Sequence, residues 1–178
     1  MEDIIVSAAD IFRGMTDAPD FVGRVLEQWA VEEPGWDASP IGVIGRLHRL
    51  ANRLTEELQA VYAEFGLGEG EFDVLATLRR SGPPYELTAG ELATSTMVTS
   101  GAVTKRVDRC VQQGWATRRA SDHDARGRVV GLTPAGKELM DRAFPAHLAN
   151  EHRLVQMLPD ADRATLTRIL QTWTSALD

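Results

Sequence analysis

The stretch Leu87–Gly114, "LTAGELATSTMVTSGAVTKRVDRCVQQG", holds two helix starts within a dozen residues. Thr88 and Glu91 form an S/T-x-x-E capping box, in which hydroxyl and carboxylate each satisfy the other residue's backbone N–H. A helix therefore starts at Ala89. It runs only to about Ser95, where "STMVT" interrupts it. Thr99 is a good N-cap for a second helix, which ends at Gly114. A short helix, a tight turn and a longer helix make a helix-turn-helix candidate.

The second helix has two faces. Val103, Val107, Cys110 and Val111 cluster on a helical wheel and are expected to face the core. Opposite them lie Val98, Gly101, Ala102, Lys105, Arg109 and Gln112. Small residues followed by cations and an amide suit the major groove of a duplex, where Lys105 and Arg109 reach base edges or phosphates. The plain alternative is an exposed helix face that carries two cations.

Beyond Gly114 the period changes. "WATRRA" (Trp115–Ala120) and "RVVGLT" (Arg128–Thr133) are strand-like, and the turn formers of "SDHDARG" join them. A β-hairpin attached to a helix-turn-helix is a wing. Its tip carries Arg126, placed to enter a narrow minor groove, where negative potential concentrates. Asp124 is placed to hold that guanidinium in a bidentate pair. Turn propensity alone also accounts for "DHD".

Outward from this centre the chain reads as helices. Asp20–Glu33 has helical apolar spacing and is broken by "PGWDASP". A long pattern runs from Ile41 to Phe65 and closes at "GLG". Glu69–Arg80 is a shorter helix. After the wing, Thr133 caps and Pro134 opens another helix. Pro159 separates it from a last helix with an apolar stripe through Leu166, Ile169, Leu170, Trp173 and Leu177. The winged core is too small to bury this stripe, so a second subunit is expected to cover it, with packing between the terminal helices of one chain as the alternative. The expected organisation is one mainly α domain over residues 1–178 with a small β wing. Residues 1–66 and 134–178 are dimerisation helices flanking a DNA-binding region at 67–133.

The 178 residues are 43% hydrophobic, enough for one sizeable core. The net charge of −7 argues against a polyanion partner, but its distribution does not. From Val98 to Val130, Lys105, Arg106, Arg109, Arg118, Arg119, Arg126 and Arg128 outnumber three acids. That segment is net +4, which leaves −11 for the remainder. One basic stretch on an acidic body is a footprint for nucleic acid, although charge runs are more often plain solvated surface. Cys110 is the single cysteine, so no internal disulfide forms and a reducing cytoplasm is expected. No apolar run approaches the roughly 18 residues of a membrane span. The acidic start "MEDIIVSAADIF" lacks the basic opening of a signal peptide.

The segment "DARGRVVGLTPAG" resembles the pattern D-x-R-x-x-x-V-x-L-T-x-x-G of the multiple-antibiotic-resistance regulator (MarR) family, through Asp124, Arg126, Val130, Leu132, Thr133 and Gly136. The upstream helix-turn-helix and the element order are similar as well, over roughly Ile41 to the end. The resemblance implies a winged-helix transcription factor, usually a repressor, that works as a homodimer on duplex DNA. Its implied DNA contacts are Thr99, Ser100, Thr104, Lys105 and Arg109 in the helix-turn-helix, with Arg119, Asp124, Arg126 and Arg128 in the wing. A small anionic or aromatic effector releases the DNA, and no cofactor is implied.

The longer N-terminal segment resembles the branch of that family that responds to urate and related anions. That likeness implies an effector site from Trp29, Asp73, Arg106 and Arg118. The loop after Trp29 is shorter here than in that branch. Arg106 independently falls on the flank of its helix, where a cation can meet an anion in a crevice. The plain reading makes Trp29 core and Arg118 with Asp73 a structural ion pair.

Other chemistry is thin. Cys110 sits on the buried helix face and is expected to be inert. His48, His123, His147 and His152 show no metal-ligand spacing. No nucleophile motif or phosphate loop is present. Two rival functions remain: a ligand-binding or protein-interaction module that has lost DNA, and an enzyme on a small acid with Arg106 and Asp73 in its site.

Overall fold

In a computed structural model, residues 18–96, 103–121 and 127–177 of the chain are described. They form seven helices and three strands, in the order α1 (Phe21–Glu32), α2 (Ser39–Glu64), α3 (Glu69–Arg80), β1 (Glu86–Thr88), α4 (Ala89–Ser95), α5 (Val103–Gln112), β2 (Ala116–Ala120), β3 (Arg128–Leu132), α6 (Pro134–Val155) and α7 (Asp160–Ser175). The described chain falls into two compact units, one of residues 56–150 and one of residues 1–55 with 151–178.

The unit of residues 56–150 holds the core. Val74, Leu75 and Leu78 of α3, Leu92 of α4, Val107 and Cys110 of α5, Val130 of β3 and Met140 of α6 are all fully buried. Local chemistry sets the element ends. Thr88 Oγ1 accepts the Glu91 N–H at 3.2 Å while Glu91 Oε2 accepts the Thr88 N–H at 2.8 Å, so the capping box starts α4 as its sequence requires. The Thr88 N–H bond foremost holds the Glu91 carboxyl below its usual pKa. Gly114, with φ of 74°, takes the chain out of α5 in the left-handed conformation that favours glycine. Thr133 Oγ1 accepts the Gly136 N–H at 3.0 Å and donates to the Gly114 carbonyl at 2.7 Å, which ties the start of α6 to the end of α5. Gly136 is obligatory there, because a Cβ would collide with the Trp115 carbonyl.

The sheet is antiparallel with order β1–β3–β2. Arg118 of β2 and Leu87 of β1 both pair with Val130 of the central strand. The hairpin β2–β3 is the expected wing. The third strand is an addition: β1 spans only three residues, too few for a period of two to stand out. α2 begins at Ser39, two residues before the apolar pattern does, where Asp37 Oδ1 accepts the Ser39 N–H at 3.0 Å.

The second unit contains α1, the first part of α2, and α7. Asp20 caps α1 by accepting the Gly23 N–H at 2.7 Å, and it pairs with Arg46 of α2 at 2.7 Å. The Arg49 guanidinium stands 4.2 Å over the Phe21 ring. α7 has no buried residue, and Ile169 and Leu170 on its apolar stripe are 46% and 40% exposed.

Candidate nucleic-acid interface

α5 is the second helix of the helix-turn-helix and packs against α3 and β2. Its inner face is Val103, Val107 and Cys110, as the wheel indicates. Val111 departs from that reading. It is 37% exposed, because it stands at the edge of the apolar stripe, beside the fully buried Cys110. Burial above all, with the Glu71 charge second, pushes the Cys110 thiol pKa up to about 12.

The outer face carries the cations. Thr104 and Lys105 are exposed, and Lys105 makes no ion pair among the described residues. Arg109, expected to reach base edges or phosphates, also makes an ion pair. Its Nη1 lies 3.2 Å from Glu71 Oε1 of α3, while the side chain stays 72% exposed. In the wing, Arg119 pairs with Glu86 of β1 at 2.8 Å, and the exposed Arg128 donates to the Gly127 carbonyl at 3.1 Å. Thr99, Ser100, Asp124 and Arg126 lie outside the described residues.

Three of the four residues implied for an effector site lie in the unit of residues 56–150. Arg106 of α5 crosses the first turn of α3 at Gly70: a Cβ there would stand 2.6 Å from Arg106 Cδ. Asp73 follows one turn later on α3. The Arg106 Nη1 is buried and has no hydrogen-bond partner among the described residues. Arg118 does not pair with Asp73. Its Nη1 contacts Asp108 Oδ1 of α5 at 2.8 Å, because the strand returns alongside the recognition helix. Arg118 and Arg128 also border a hollow of about 210 Å3 between α4, α5 and the strands, floored by Leu92 and Val107. Trp29 belongs to the other unit. It is 38% exposed, so it is not plain core, and its ring stacks on Trp36 at 5.7 Å. His147 packs against the Phe72 ring and meets the Tyr62 hydroxyl at 3.2 Å. Among the described residues no group of three metal-ligating side chains gathers, and no helix is long and apolar enough to cross a membrane.

Two further features escaped the sequence reading. One is Glu71, whose place in the first turn of a helix reads as exposed surface. The other is the bond from Arg80 of α3 to the Ser95 carbonyl at the end of α4. The capping signal of glutamate after "GLG" was the available clue to the first.

The family model of the MarR family matches residues 65–127, which hold α3, the helix-turn-helix and the first wing strand. The chain is 32% identical over 149 residues to the HTH-type transcriptional regulator PecS of Dickeya dadantii, covering 84% of this chain and 90% of that protein. The chain belongs to the MarR family. Its fold is also that of E. coli MarR, seen as a cysteine-to-serine mutant complexed with operator DNA, with a TM-score of 0.66 and 26% identity over 77% of this chain and 98% of that one. Bordetella bronchiseptica BpsR, whose DNA binding is regulated by 6-hydroxynicotinic acid, has a TM-score of 0.67 at 21% identity, over 74% of this chain and 92% of its own. This MarR-family chain is therefore a winged-helix, DNA-binding transcriptional regulator, and its relatives are regulators, not enzymes.

Proposed function

We propose that this regulator is a cytoplasmic homodimeric repressor that binds a pseudo-palindromic operator and leaves it when a small anion binds. The observation that carries the dimer is α7, a helix with an apolar stripe and no buried residue. In this reading residues 1–66 and 134–178 supply the dimer and residues 67–133 the DNA contacts. The two recognition helices then enter successive major grooves, roughly 34–36 Å apart. Thr104, Lys105 and Arg109 face the major groove or its phosphates, together with Thr99 and Ser100. Arg119 and Arg128 follow the backbone, and Arg126, oriented by Asp124, meets the minor groove. A mobility-shift titration at several salt concentrations tests this. Phosphate contacts impose a steep salt slope, and binding without one overturns the assignment.

The effector reading rests on Arg106. A buried guanidinium N–H without a partner costs stability that an incoming carboxylate or urate-like anion recovers. The negative charge also meets Asp73, and the repulsion gives α5 a reason to move. The likeness to BpsR supports aromatic acids as the first compounds to try. Thermal-shift screening with urate, small carboxylates and phenols is the test. A hit must raise the melting temperature, release DNA and lose both effects in Arg106→Gln.

A further inference from the structure

Glu71 sits where α3 meets the recognition helix. Its side chain is only 10% exposed, and both carboxylate oxygens are in use. Oε2 accepts the Gly68 N–H at 3.0 Å and so caps α3, while Oε1 accepts from Arg109 Nη1 at 3.2 Å. Behind this pair Cys110 Sγ lies 4.0 Å from the Glu71 carbonyl oxygen, so the carboxylate is seated in packed structure. Arg109 is the opposite, with 72% of its side chain open to solvent. A guanidinium carries five N–H donors, and Glu71 holds one nitrogen of this one while most of the side chain stays open to solvent.

We propose that Glu71 is a positioning residue for DNA binding, which holds Arg109 from within so that its outward N–H groups meet a DNA phosphate. A long cationic side chain loses rotamer freedom when it grips a ligand. A side chain already ordered by a buried partner loses less, and that preorganisation tightens binding. Lys105, one turn earlier on α5 and without an ion pair among the described residues, is the untethered comparison. The proposal rests on the reading of α5 as the DNA-facing helix.

The experiment uses the full chain and the duplex that the wild-type protein itself selects from a randomised library, titrated across a salt series. Arg109→Ala weakens binding and lowers the salt slope by about one, as removal of a phosphate contact should. Glu71→Gln offers one oxygen where glutamate offers two, and it weakens binding about two- to fivefold. In the Arg109→Ala background Glu71→Gln weakens it no further. Arg109→Lys probes the same link without touching the buried carboxylate. It keeps the charge and the slope, yet still weakens binding a few-fold, because one ammonium does not span Glu71 and a phosphate together. Additive losses from Glu71→Gln and Arg109→Ala overturn the proposal. So does tighter binding by Glu71→Gln, or wild-type affinity in Arg109→Lys. If Lys105→Ala lowers affinity and slope while Arg109→Ala changes neither, the proposal falls and the reading of α5 stands. If neither changes anything, both fall.

Discussion

Arg106 of the recognition helix lies across Gly70 of α3, with its Cγ, Cδ and Nε all within 2.8 Å of where a Cβ would be. The two helices meet this closely because one residue has no side chain. The contact uses the middle of the arginine, and the aliphatic stem cannot swing aside as a terminal group can. A cation thereby comes to rest beside the first turns of α3, its Nη1 buried.

Gly70→Ala separates packing from helix propensity. Alanine favours a helix by about 1 kcal/mol over glycine, whereas overpacking costs about 1–3 kcal/mol. In the wild-type background the variant is expected to lower the urea midpoint. In an Arg106→Ala background, where the obstruction is gone, the same change is expected to raise it. A change of the same sign in both backgrounds rules out the contact between Arg106 and Gly70 as the cause.

The junction between wing and α6 is held by one hydroxyl. Thr133 accepts the Gly136 N–H and donates to the Gly114 carbonyl, so it caps one helix and closes another. Thr133→Val keeps the shape and removes both bonds. The expected loss is about 1–2 kcal/mol in chemical denaturation, the range for a lost N-cap hydroxyl. Thr133→Ser retains the hydroxyl and should retain most of the stability. A loss in Thr133→Ser with wild-type stability in Thr133→Val would mean that the methyl group, not the hydrogen bonds, matters here.

Much of this architecture can be read in the chain because its signals are local. The capping box at Thr88 and Glu91, the N-cap at Thr133 and the β-branched wing strands are each set by residues a few positions apart, and all three stand as their chemistry requires. What escaped depends on neighbours distant in sequence. Glu71 becomes buried only when α5 packs on α3. Arg118 finds Asp108 only when β2 turns back along the recognition helix, so a pair with Asp73, equally plausible on charge, does not form. Val111 stands at the edge of the apolar stripe and is 37% exposed beside the fully buried Cys110, so the width of the packed face, not the period, decides its burial. The expected contacts Thr99, Ser100, Asp124 and Arg126 lie outside the described residues, so the assignment of the wing tip rests on its sequence pattern.

The Cys110 thiol gives a pH test with a definite sign. Burial and the Glu71 charge raise its pKa to about 12 from an ordinary value of 9.0. A neutral thiol is therefore favoured in the folded state, and that stabilisation is complete below pH 9.0. It is lost as pH rises from 9.0 through about 12. Because the thiolate is the nucleophile, folded protein at about pH 8 should react with iodoacetamide far more slowly than protein in urea. Labelling at the rate of a free thiol would contradict the burial. Loss of DNA binding on mild peroxide treatment, abolished by Cys110→Ser, would contradict the inertness argued from it.

The last test concerns why a DNA-binding protein carries a helix, α7, with no fully buried residue. Ile169 and Leu170 of α7 are 46% and 40% exposed, and covering the remaining part of each recovers a fraction of the roughly 1.5–3 kcal/mol that complete burial of a large aliphatic side chain gives. If a second copy covers them, Ile169→Asp with Leu170→Asp places charge in that interface, and the protein should sediment as a monomer. Its helical circular dichroism should persist, because neither residue belongs to the core of the DNA-binding unit. Two linked reading heads raise avidity by roughly 10²–10⁴ over one. The double variant should therefore lose operator binding by about that factor, while an isolated half-site duplex binds both proteins alike. A variant that remains dimeric would move the interface away from α7. A monomer with undiminished operator affinity would separate dimerisation from DNA recognition altogether.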